Sequence, residues 1–248
     1  MRAIYRITGT DADSFLQGLI TTDIKGLNNG LIYTALLTPQ GKYLADFFLL
    51  RDDQGILLDV AASHAAGLIQ RLNMYRLRAD VVISETGVTL ARGTGPAPAG
   101  ALLDPRHPDM GWRVYSDGSD RAAQDDDGTD WDAIRVAHCI PETGIELTPD
   151  SYILEAGFER LNGVDFRKGC YVGQEVTARM KHKTELRKGL ATVRVNGAAE
   201  PGTNITAEGK PVGVLYTQSG GQGIAYLRFD RAQGVMQAGG ATVTYDAA

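Results

Sequence analysis

Apolar positions along the chain switch repeatedly between a period of two and a helical period. Residues Arg2 to Ile7 read as a short strand, and the next apolar residues, Phe15, Leu16, Leu19 and Ile20, fall on one side of a helix. Asp13, three residues after Thr10, predicts a capping box at that helix start, and Thr21, Thr22 and Asp23 predict a polar turn after it. The segment LIYTALLTPQGKYLADFFLL at 31–50 is two apolar runs broken by Pro39, Gln40 and Gly41, as in neighbouring strands or a hairpin. GILLDV at 55–60 adds a strand, and Leu68, Ile69 and Leu72 place a helix over 63–73. ADVVISETGVTLARG then returns to strand patterning with a turn near Gly87.

Further along, Trp131, Ile134 and His138 share a helical face that Pro141 ends, and a second helix is expected from about Pro149 through Ile153, Leu154 and Phe158, stopped by Gly163. From Leu190 onward, LATVRV, TNIT, PVGVLYT, GIAYLRF and ATVTY are short β-favouring runs separated by glycine-containing turns. They predict a small antiparallel barrel or sandwich of about five strands, with a domain boundary near residue 186. GTGPAPAG at 93–100 and DPRHPDMG at 104–111 interrupt regular elements. Asp117, Asp120, Asp125, Asp126, Asp127, Asp130 and Asp132 gather negative charge that favours an exposed connection.

Composition narrows the classes. With 43% hydrophobic and 22% charged residues over 248 positions, the chain can bury a sizeable core, which excludes disorder throughout. A formal charge of -5 weighs against a surface that coats nucleic acid. Two cysteines without a CxxC spacing exclude a dense disulfide framework and favour a reducing compartment. No apolar stretch reaches the ~20 residues that span lipid or forms a secretory core, so a cytoplasmic location and no membrane partner are expected.

The chemistry concentrates in DFRKGCYVGQEVTARMKHKTELRKG, residues 165–189. Gly169 and Gly173 bracket Cys170 in a turn that precedes an expected helix at Gln174, and Lys168 adds positive charge that would favour a thiolate. Cys170 is read in two ways, as a small buried apolar residue or as a functional thiol, with metal ligation a third. Gln174 and Glu175 either pin the turn or face a ligand. Residues 167–188 carry a net of five positive charges, suited to a phosphate, a polyanionic tail or an acidic protein surface, or simply to a solvated face. His138, Cys139, Cys170 and His182 have no recognised zinc or iron–sulfur spacing, so no metal is assigned. Asp23 and Asp46 are expected as caps or surface groups rather than as paired catalytic carboxylates.

KGCYVGQE at 168–175 resembles the signature of the YgfZ family of folate-binding proteins, related to the glycine-cleavage T-protein. FLQGLITTD at 15–23, TPQGKYLADFFL at 38–49, DPR at 104–106 and GWR at 111–113 resemble family segments in compatible order. The resemblance implies an α+β, T-protein-like multidomain architecture around a central opening with a C-terminal antiparallel β-barrel. It would comprise residues 1–50 with 135–185, residues 51–134, and residues 186–248. It also implies binding of tetrahydrofolate or a folate derivative and a part in the synthesis, repair or maintenance of iron–sulfur clusters in client enzymes. Support of tRNA modification would then arise through such a client, without direct nucleic-acid binding. The motif cysteine carries over to Cys170, with Lys168, Tyr171, Gln174, Glu175 and Arg179 as candidate cofactor contacts. The DPRHPDMGWRVY region lacks the acidic pattern of the aminomethyltransferase, which disfavours direct glycine cleavage. A folate-dependent one-carbon transferase and a folate-responsive protein-interaction module stand as alternatives.

Overall fold

A computed structural model describes residues 1–117, 128–182 and 186–246. The chain divides into two compact units, one of Met1–Thr129 with Glu159–Val176 and the other of Asp130–Phe158 with Thr177–Ala248.

The first unit is organised by a five-stranded antiparallel sheet in the order β2-β3-β4-β1-β5. Its strands are β1 (Arg2–Thr8), β2 (Ile32–Leu37), β3 (Tyr43–Asp52), β4 (Gly55–Ala61) and β5 (Val82–Glu85). The helices α1 (Ala12–Gln17) and α2 (Ala62–Arg76) contribute Leu16, Leu68 and Leu72 to the core formed with Phe47, Leu49 and Leu58. A smaller sheet, β6-β8-β7, is built from β6 (Thr89–Gly93), β7 (Leu102–Leu103) and β8 (Trp112–Ser116).

Local chemistry departs from two expectations here. The capping box does not form: Asp11 is the N-cap residue of α1 and makes no side-chain cap bond. Thr10 instead donates its N–H and its hydroxyl to Asp80, 3.1 and 2.9 Å away, while Asp13 pairs with Arg51 at 2.8 Å. The box fails because the helix starts one residue later than the spacing requires, so that Asp13 is only its second residue. In the polar segment that follows α1, Thr21 and Thr22 are buried. Thr21 donates its hydroxyl to the Gly163 carbonyl (2.6 Å), accepts from the Ala35 N–H (2.9 Å) and so stitches two distant segments together. Asp23 does cap, accepting from the Lys25 N–H at the start of the 3₁₀ turn Ile24–Asn29. Asp46 is neither cap nor surface group: it is buried on β3 and accepts the hydroxyls of Tyr33 and Tyr43 at 3.0 and 2.5 Å.

In the second unit, α3 (Trp131–Ala137) begins at Asp130, whose carboxylate accepts the Ala133 N–H at 2.9 Å. The helix expected from Pro149 is absent. Ala156, Gly157 and Phe158 donate to carbonyls four, three and five residues back, a mixed pattern that no regular helix sustains. Gly157 takes φ +78°, and the Glu155 carbonyl is used instead by the Leu190 N–H at 2.7 Å. The helix α4 (Gln174–Lys181), whose residues up to Val176 belong to the first unit, starts where expected.

The C-terminal strands close into a six-stranded antiparallel barrel, β10-β11-β12-β9-β14-β13. They are β9 (Lys188–Asn196), β10 (Thr203–Ala207), β11 (Lys210–Ser219), β12 (Gln222–Arg228), β13 (Val235–Ala238) and β14 (Ala241–Thr244). The strand beyond the five expected is β13, four residues long, which buries only Met236 and Ala238 and leaves Val235 and Gln237 outside. Of the acidic run, Asp120, Asp125, Asp126 and Asp127 lie outside the described residues, as does Lys183 of the basic segment.

Candidate functional site

In the first unit, three of the sequence segments singled out above converge on the turn that carries Cys170. The Lys168 ammonium, on a buried side chain, donates to the carbonyls of Gln17 (2.8 Å) and Ile20 at the end of α1. It also lies 4.8 Å from the centre of the buried Tyr171 ring. Val172 donates its N–H to the Gly18 carbonyl at 3.3 Å. The third anchor is steric. Gly173, at φ +85°, lies so close to the hairpin between β2 and β3 that an added Cβ would stand 2.6 Å from the Thr38 oxygen and 3.2 Å from the Gly41 Cα. Gly41, at φ +74°, would in turn place a Cβ 2.8 Å from Val176. Only glycine permits this approach of two backbones.

Held at both ends, the turn leaves Cys170 exposed, and nothing stands within 4 Å of a Cβ built on its neighbour Gly169. The thiol is thus presented rather than packed. Gln174, half-buried, and Glu175, exposed, open α4, with Arg179 exposed one turn on. Lys168 and Tyr171 are therefore brought together beneath the turn, while Gln174, Glu175 and Arg179 lie on the helix that follows. Burial pulls the Lys168 ammonium down to about 8, and the charges of Asp23 and Asp165 oppose that pull. Cys139, the other free cysteine, is buried beside Val136 and Ile224.

Asp23 and Asp165 also line a cavity of about 790 Å³ in the same unit. Its walls come from the 3₁₀ turn after α1, the start of β2 and residues 159–167. The sequence reading did not pick out this cavity. The one signal pointing to it is that DFRKGC sets Asp165, Phe166 and Arg167 immediately before the lysine of the thiol turn.

The DPR and GWR segments form a buried ionic network. Asp104 accepts both Nε and Nη2 of Arg106 (2.9 and 2.8 Å) and Nε of Arg113 (2.9 Å). Arg113 reaches on to Asp59 at 3.0 Å, and Asp59 also accepts from Arg2 and the Tyr115 hydroxyl. The Arg113 guanidinium lies 3.7 Å from the centre of the Phe48 ring. Burial works against the Asp104 carboxylate, but Arg106 and Arg113 outweigh it and hold the group well below its usual range. Burial and the Asp59 charge push the Tyr115 hydroxyl far up. These residues carry structure: every charge faces an opposite one.

Comparisons with known proteins place this geometry. The model of the CAF17 C-terminal beta-barrel domain matches residues 187–247. The mitochondrial iron–sulfur cluster assembly factor IBA57 of Homo sapiens is 30% identical over 274 residues, covering 94% of this chain and 77% of its own length. The Mus musculus protein of that name is 31% identical with the same coverage. A homologue from Mycosarcoma maydis is 28% identical over 81% of this chain, which spans only 57% of that relative. The crystal structure of glycine cleavage system aminomethyltransferase T from Bartonella henselae aligns with 99% of this chain and 83% of its own at TM-score 0.75 and 14% identity, a likeness of fold. The expected α+β, T-protein-like architecture with a C-terminal antiparallel barrel is borne out. The cytoplasmic location is not: these relatives are mitochondrial by name. The lack of a long apolar segment bears on secretion and membrane insertion, whereas mitochondrial targeting uses amphipathic, arginine-rich segments. Among the described residues no helix is long and apolar enough to cross a membrane.

Proposed function

The chain belongs to the family of the iron–sulfur cluster assembly factor IBA57, related to YgfZ and CAF17, and on that premise we propose that it is a tetrahydrofolate-binding accessory factor for the synthesis, repair or maintenance of iron–sulfur clusters in client enzymes. The observation that carries this reading is the exposed Cys170 on a turn fixed at three points, an arrangement that a packing cysteine does not need. In this reading Cys170 is the functional thiol. Lys168 and Tyr171 position it from below, and Gln174, Glu175 and Arg179 are offered to the cofactor. Its protein partners are iron–sulfur clients or assembly proteins, and it binds neither nucleic acid nor membrane.

The residues fit a folate to this extent. A pteridine edge is rich in N–H donors and its glutamate tail is anionic; Glu175 supplies an exposed carboxylate, and Arg179, four residues on and so on the same helix face, an exposed guanidinium. Bound tetrahydrofolate supplies one-carbon or redox chemistry. The chain's own part is to hold Cys170 in one geometry and keep it accessible.

Titration calorimetry with a panel of tetrahydrofolates tests the cofactor assignment. Saturable binding is expected for the wild type and for Cys170→Ser, with Arg179→Ala weaker by roughly fivefold, the order of one exposed charge contact. A folded protein that binds no folate overturns it.

A further inference from the structure

We propose that the outer flank of α2 in the first unit, with the groove beside it, docks an acidic amphipathic helix of a partner protein. The proposal stands on this face alone. Its failure would leave the folate and thiol reading untouched, and loss of folate binding would leave it standing.

Charge sets this element apart from the rest of the chain. Residues 62–78 carry Arg71, Arg76 and Arg78 and no acidic residue, in a chain of formal charge -5. The fold accounts for one of the three, since Arg76 donates to the Val81 carbonyl at 3.1 Å. Arg71 and Arg78 are exposed and form no ion pair among the described residues. The next acidic group along the chain, Asp80, is engaged by the N–H and hydroxyl of Thr10.

His64, Gly67, Arg71 and Met74 recur at helical spacing on one flank of α2, and with Leu36 of β2 and Leu44 of β3 they line a groove of about 380 Å³. Its apolar edge is uncovered: Met74 is 60% exposed, and Leu77, which ends the helix, 87%. From His64 to Arg78 the stripe runs roughly 20 Å, the length of a short helix rather than of one small ligand.

Two backbone features on this stripe serve nothing within the chain. Gly67 sits inside α2, where glycine weakens a helix relative to alanine, yet a Cβ built there meets nothing within 4 Å. The fold does not require that glycine, whereas close approach of another chain along the groove would. Leu77 holds φ +47°, a left-handed conformation that glycine adopts freely and leucine only at a cost, while its side chain stands in solvent. A helix seated along α2 uses both, the missing Cβ for room and Leu77 as an apolar anchor.

The arginines fix the sign of the occupant. Arg71 lies one turn before Met74 and Arg78 directly follows Leu77, so a helix with acidic residues beside its apolar face is complementary. A membrane surface fits less well. The main apolar stripe of α2, Ala65, Leu68 and Leu72, is turned into the core, which leaves only Met74 and Leu77 for lipid.

The probe is a fluorescein-labelled helical peptide of about 14 residues repeating Glu-Leu-Leu-Glu-Glu-Leu-Ala, with its Lys-for-Glu counterpart as control. Each is titrated into the purified full chain and followed by fluorescence anisotropy. Saturable binding is expected for the acidic peptide, and binding at least about tenfold weaker for the basic one. Arg71→Gln combined with Arg78→Gln should weaken the acidic peptide about fivefold. Gly67→Ala should weaken it about fivefold while raising the melting temperature by roughly 2–4 °C, since it narrows the groove and improves the helix. Leu77→Gly should also weaken it, about fivefold, without lowering the melting temperature, since glycine relieves the left-handed backbone. Opposite effects on binding and stability separate a docking contact from a structural one. No binding to the folded chain, equal affinity for the basic peptide, or a Gly67→Ala protein that binds like the wild type would each overturn the proposal. Flotation with phosphatidylglycerol vesicles in the absence of peptide binding would overturn it in favour of a membrane surface.

Discussion

At the scale of single residues, Lys168 shows how a fold can redirect a charge. The sequence places it two positions from Cys170 and suggests electrostatic help for a thiolate; the structure spends its ammonium on the Gln17 and Ile20 carbonyls and the Tyr171 ring. Nothing in the local sequence announces the two carbonyls, because they lie about 150 residues away in the chain. The consequence is measurable in pH. Unfolded, the group titrates at 10.5, and folded at about 8, so between these values the unfolded chain binds more protons. The cost of burying the ammonium is fully present below pH 8 and fades toward 10.5, so this contribution to stability rises with pH across that window. Urea unfolding of wild type and Lys168→Met at pH 7.5, 9 and 10 should show the stability difference between them changing in that sense. A difference independent of pH would refute the assignment. Asp104 works at the other end. Its carboxylate is held below the ordinary 3.8, so its stabilisation is present above about pH 4 and is lost as pH falls. Asp104→Asn leaves Arg106 and Arg113 buried without their shared carboxylate and should cost about 3–5 kcal/mol at pH 7, read by chemical denaturation.

At the scale of elements, the hydrophobic period carried most of the information. The hairpin broken at Pro39–Gly41, the helix through Leu68 and Leu72, and the start of α4 at Gln174 all form where the pattern places them. The failures share a cause. The capping box at Thr10 and the helix from Pro149 were local readings overruled by partners distant in sequence: Asp80 in one case, and the Leu190 amide with the Tyr226 hydroxyl, which is donated to Glu155, in the other. Contact between the 38–41 hairpin and the thiol turn was likewise invisible, though both segments had been noted. Its glycines give a sharp comparison. Gly173→Ala meets the Thr38 carbonyl at a positive φ and should lower stability by roughly 2–4 kcal/mol. Gly169→Ala meets nothing and should fall within about 0.5 kcal/mol of wild type in a thermal melt. Equal effects at the two positions would mean that the turn is not anchored as described.

At the scale of the whole molecule, each unit has its own core, one around the five-stranded sheet and one inside the barrel. The barrel was legible because its longer strands alternate cleanly; β13 escaped notice because four residues between glycines carry too little pattern to register. The acid-lined cavity was not legible, since its walls come from chain segments around residues 22–33, 105 and 159–167 that only the fold assembles. The proposed function rests, at this scale, on the pinned turn of the first unit presenting a thiol. The most direct measurement is the activity of an iron–sulfur client enzyme in cells lacking this protein, complemented with wild type, Cys170→Ser or Gly169→Ala at matched levels of folded protein. Activity restored by wild type and Gly169→Ala but reduced at least about tenfold with Cys170→Ser is the predicted result, the order expected when a reacting group is removed. Full activity with Cys170→Ser would contradict the account.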